Sequence, residues 1–70
     1  MDGKRLGRRV KAFRKLKGYT QIELAKELDV SVTLLGAVER GTKDAPDALL
    51  EQIAATLDID MAELLLRNEE

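Results

Sequence analysis

The strongest constraint on this chain is a pair of helix starts set close together. Thr20 is followed three residues later by Glu23, the reciprocal pattern in which the hydroxyl serves the amide at 23 and the carboxylate serves the amide at 20. Tyr19 is placed to staple onto Leu24, and Gly18 ends whatever helix precedes them. The run 21–28 that follows buries Leu24, Ala25 and Leu28, and it breaks at Asp29-Val30 before Ser31 supplies a second N-cap. A helix of two turns does not hold in water by itself, because isolated helices under about 12–15 residues are marginal. Its neighbours must hold it, and Ala25 is small enough to let another helix cross closely.

Those neighbours are legible as periodicity. Leu6, Val10 and Phe13 recur at helical spacing within residues 4–17, with basic residues on the other faces. Leu35 and Val38 line the inner side of a third helix over 31–40, which Gly41 stops in a left-handed conformation. Lys43-Asp44-Ala45-Pro46-Asp47 is a loop, with Pro46 suited to the first turn of a fourth helix. That helix carries Leu49, Leu50, Ile53, Ala54 and Leu57 and is expected to be the central one. Asp58-Ile59-Asp60 breaks it, and Asp60 with Glu63 opens a short fifth helix whose Leu64 turns inward. The reading is all-α, one domain over residues 1–70, with no strand and no repeat.

Composition narrows the function. Seventy residues provide one core and no room for a usual substrate cavity, so function is expected on a surface. Phe13 and Tyr19 are the only aromatics, so that core must be aliphatic. With no Cys and no His there is no thiolate, no imidazole ligand or base, and no disulfide, and no phosphate-cradling glycine loop is present; an enzyme, a metal site and a cofactor are not expected. No apolar run could span a bilayer and Met1-Asp2-Gly3 opens no signal peptide, so a cytoplasmic protein is expected. The net charge of −1 hides a division: residues 1–17 sum to +7 and residues 18–70 to −8. Such a basic segment either balances an acidic body or meets a polyanion.

Two short helices joined by a tight turn, at about 20–41, form a helix-turn-helix, the geometry that sets a recognition helix in a DNA major groove. Geometry alone leaves DNA and protein partners both open. The residues Gly18-Tyr19-Thr20-Gln21-Ile22-Glu23-Leu24-Ala25, Val30-Ser31, Val38-Glu39-Arg40-Gly41 and Ile53-Ala54-Ala55-Thr56-Leu57-Asp58-Ile59 add to it. Together they resemble the Cro/CI-type (XRE-like) helix-turn-helix family of phage repressors, Cro proteins and bacterial regulators, over about residues 5–66. The resemblance implies a compact five-helix, lambda-repressor-like fold and a bacterial or phage-encoded regulator, associated with the nucleoid when bound.

The same resemblance implies roles. Arg14 and Glu39 occupy the positions of an ion pair joining helices one and three. Gln21 stands where the family contacts a phosphate, and Arg40, Gly41 and Lys43 where it contacts the other backbone strand. Val32, Thr33, Gly36 and Ala37 map to the base-facing positions. This set lacks the Arg, Lys, Gln or Asn that read base edges bidentately, so contact would run through thymine methyl groups and DNA shape. Asp29 and Asp58 stand where the family commonly has glycine, and Asp tolerates the left-handed region.

The expected function is a sequence-specific double-stranded DNA-binding regulator, a repressor, acting as a homodimer through Ile59, Met61, Leu65 and Leu66. The competing expectation is a protein-interaction module of the same fold, antirepressor or antitoxin-like, docking through an apolar face of Val32, Leu34 and Ala37.

Overall fold

The computed structural model describes residues 3–65 as five helices: α1 (Gly3–Leu16), α2 (Gln21–Leu28), α3 (Val32–Arg40), α4 (Asp47–Leu57) and α5 (Met61–Leu65). Among the described residues there is no strand and no helix long and apolar enough to cross a membrane. The start of α2 is the expected reciprocal cap: Thr20 Oγ1 accepts from the Glu23 amide at 3.0 Å, and Glu23 Oε1 accepts from the Thr20 amide at 2.9 Å. Ser31 Oγ accepts from the Leu34 amide at 3.0 Å and starts α3. Pro46 is the N-cap residue of α4 rather than a member of its first turn, and it offers no side-chain cap.

Four helix ends close in one way. Gly18, Asp29, Gly41 and Asp58 all sit in the left-handed region, with φ of 85°, 58°, 80° and 58°. In each case the amide of that residue bonds back three residues and the next amide bonds back five, as in Asp29 to Lys26 and Val30 to Ala25. Carbonyls that the helix would leave orphaned are thereby satisfied, and the chain reverses within one or two residues. At Asp29 and Asp58 the short polar side chain tolerates a backbone that a branched residue would not.

The core is aliphatic, as the scarcity of aromatics requires. Val10, Leu24, Leu35, Ile53, Leu57 and Leu64 are fully buried, drawn from all five helices, while Phe13 and Tyr19 pack at its edge. α4 supplies Leu49, Leu50, Ile53, Ala54 and Leu57, the largest share from any one helix. The most extensive helix packing, however, joins α1 to α3. Glycine makes it possible: a Cβ on Gly7 would lie 2.4 Å from the carbonyl oxygens of both Val38 and Glu39. At the end of α3, a Cβ on Gly41 would lie 2.6 Å from Lys4 Cα.

Gly7→Ala therefore forces two backbones apart and should cost about 2–3 kcal/mol in denaturant unfolding, at the upper end of overpacking penalties. Gly36→Ala is the internal comparison. Its Cβ meets only the tip of Arg40 at 3.1 Å and the Gln21 amide beyond it. The helix propensity of alanine should then make it neutral or stabilising by up to about 1 kcal/mol.

Candidate nucleic-acid interface

The side chains that orient α2 and α3 converge on one buried carboxylate. Arg14 Nε donates to Glu39 Oε2 at 2.7 Å and Nη2 donates to Oε1 at 3.2 Å, a two-pronged pair in which the side chains are 8% and 2% exposed. Arg14 Nη1 also donates to the Tyr19 carbonyl at 2.9 Å, inside the turn that leads into α2. Gln21 Nε2 donates to Glu39 Oε1 at 3.0 Å. Thus α1, the turn, the first residue of α2 and the last turn of α3 share one set of charge-assisted bonds. At this burial an unpaired charge is costly, so each partner depends on the others staying in place.

Around this lock stand the residues singled out from sequence. Val32, 39% exposed, and Thr33 lie open on the first turn of α3, and Ala37 is half-buried one turn on. Gly36 is buried, covered by the ends of Gln21 and Arg40, so it does not present its backbone as an open base-facing surface. Leu34, expected on the outer apolar face, is half-buried and packs against the core. That leaves the exposed apolar surface of α3 narrower than its sequence suggests. Arg40 and Lys43 are exposed at the far end of α3, with Gly41 half-buried between them. Gln21 is half-buried, and the hydrogen bond to Glu39 already uses its amide nitrogen.

Three contributors were missed in the sequence. Lys4 lies directly over Gly41, which brings a third cation to the end of α3 that holds Arg40 and Lys43. Gly7 permits the close approach of α1, and its signal was present: a glycine inside a helix is unfavourable by about 1 kcal/mol and implies a packing reason. Arg9 was counted with the basic segment, yet its Nε donates to the Leu64 carbonyl at 2.9 Å and its Nη2 to the Glu63 carbonyl. Of the cations on α1, Arg9 and Arg14 thus have structural tasks. Of the expected dimer residues, Ile59, Met61 and Leu65 are half-buried along the core, and Leu66 lies outside the described residues.

A family model described as Helix-turn-helix matches residues 10–64, which takes in all of α2, α3 and α4. The chain belongs to this XRE-type helix-turn-helix family. Among curated members it is 47% identical over 64 residues to the HTH-type transcriptional regulator YazB of Bacillus subtilis, covering 91% of this chain and 93% of that one. It is 36% identical over 66 residues to the HTH-type transcriptional regulator SinR of the same organism, where it spans 60% of the relative's length. Among solved structures, SinR in complex with DNA superposes with a TM-score of 0.78 at 38% identity, covering 86% of this chain and 97% of that one. The restriction-modification controller protein C.AhdI of Aeromonas hydrophila gives 0.83 at 31% identity, covering 87% and 88%. The lambda-repressor-like all-α fold expected from the motifs is the fold of these helix-turn-helix regulators.

In this family member, breaking one side of the buried pair should be strongly destabilising. Glu39→Ala leaves Arg14 buried without its carboxylate and is expected to cost about 3–5 kcal/mol by chemical unfolding, enough to abolish the fold of many small domains. Replacing Arg14 and Glu39 together with methionine should cost much less than the sum of the single changes, because no charge is then stranded.

Proposed function

We propose that this helix-turn-helix protein is a sequence-specific double-stranded DNA-binding transcriptional regulator, a repressor, that presents α3 to the major groove as a symmetric dimer. The observation that carries this reading is the lock on Glu39. It holds the start of α2 and the end of α3 in one rigid relation, and α3 keeps its first turn outward with Lys4, Arg40 and Lys43 gathered at its other end. A recognition helix needs that arrangement, since backbone contacts set register and the helix face then meets the bases. The family membership and the likeness to SinR, solved on DNA, support it.

Within this reading Arg40 and Lys43 meet phosphates as cations. Gln21 contributes through its main-chain amide at the positive end of α2, its side-chain nitrogen being engaged by Glu39. Base contact falls to Val32, Thr33 and Ala37, suited to thymine methyl groups; Gly36, beneath Gln21 and Arg40, takes part only if those side chains move aside. The half-buried apolar edge of Ile59, Met61 and Leu65 is the proposed dimer face, with half-sites about 34 Å apart.

Selection from random duplexes at two salt concentrations should enrich a two-fold symmetric site. Arg40→Ala and Lys43→Ala should each weaken binding across all sequences and flatten the log-log salt slope by about 0.9. Ala37→Glu should abolish binding with the fold intact. No enrichment at either salt would instead make α3 a protein-docking helix. Sedimentation of Met61→Asp should show monomer where the parent chain shows dimer, with affinity for the symmetric site reduced.

A further inference from the structure

We propose that the face of α1 turned away from α3 is a docking site for an acidic amphipathic helix of a partner protein, accessible while α3 is engaged elsewhere. Arg5, Arg8, Arg9, Ala12, Phe13 and Leu16 line a groove of about 430 Å³ there. Leu16 is 75% exposed, the most exposed of the large hydrophobic side chains described, and Phe13 is half-buried beside it. The wall is built in advance. Arg9 lies over the Phe13 ring with its guanidinium carbon 5.3 Å from the centroid, while its nitrogens are tied to the last carbonyls of α5.

Charge names the partner. α1 carries no acidic residue, and three arginines, Arg5, Arg8 and Arg9, line the groove. A ligand that brings carboxylates to this face gains electrostatic attraction. Any polyanion would do that much. The apolar floor of Ala12, Phe13 and Leu16 selects a ligand that also offers hydrophobic side chains, which a DNA backbone lacks and an acidic amphipathic helix has.

Position separates this site from the proposed DNA face. Gly3 and Gly7 abut the end of α3 and Arg14 bonds to it. At about 100° per residue, Arg5, Ala12 and Leu16 fall on the opposite side of α1. The inference therefore stands whether or not α3 reads DNA.

The test uses the full chain and a synthetic, fluorescently labelled helix-forming peptide with leucines on one stripe and glutamates elsewhere. Its controls are the same peptide with serines for leucines, one with lysines for glutamates, and an unlabelled random duplex as competitor. Saturable binding of the acidic leucine peptide is expected, with amide shifts confined to α1 and the end of α5. Leu16→Ser should weaken it about tenfold, the worth of one buried aliphatic side chain, and Arg8→Glu should weaken it comparably, both with unchanged circular dichroism. Equal binding of the serine peptide, or displacement by the duplex, would make the face a general polyanion surface and overturn the proposal. So would the absence of binding, or shifts that map to α3.

Discussion

A single buried ion pair organises this molecule. Glu39 lies in the last turn of α3 and Arg14 in the last turn of α1, and between them they gather the Tyr19 carbonyl and the Gln21 amide. Without the guanidinium, a carboxylate at this depth would face a desolvation penalty of several kcal/mol. Each partner is tolerable inside the protein only because the other is fixed in place. The consequence reaches the surface: the angle between α2 and α3 is held at the base of the motif, below the outward-facing first turn of α3.

Backbone economy does the complementary work. Gly18, Asp29, Gly41 and Asp58 turn the chain within a residue or two, which is how five helices fit into so short a sequence with their terminal carbonyls satisfied. Gly7 removes the one side chain that would keep α1 from the α3 carbonyls. These positions bury little apolar surface themselves, yet they decide how closely the aliphatic core can close. A small core has little stability in reserve, so this closeness matters more here than in a larger protein.

The charge division takes on meaning once α1 is seen in place. Its cations do not form one patch. Arg14 is internal, Arg9 clamps α5 to α1, and Lys4 joins Arg40 and Lys43 at the end of α3. Arg8 stands on the opposite side beside Leu16. One helix thus contributes to two surfaces, the end of α3 proposed to meet DNA and the groove proposed to take a protein partner.

Much of this was written in local sequence, because it depends on neighbouring residues alone. The reciprocal cap of Thr20 and Glu23, the Ser31 cap and the Gly18 and Gly41 stops announced the boundaries of α2 and α3, and aliphatic spacing announced the core. The family motifs carried the pairing of Arg14 with Glu39, 25 positions apart. Other features required the chain to be folded. That Gly36 lies beneath Arg40 and Gln21, that Leu34 turns to the core, and that Arg9 reaches Leu64 are facts about residues brought together from different helices. Capping and periodicity act over one helical turn and can be read in order along the chain. Which surface a side chain shares with a distant one is settled only by how the helices cross.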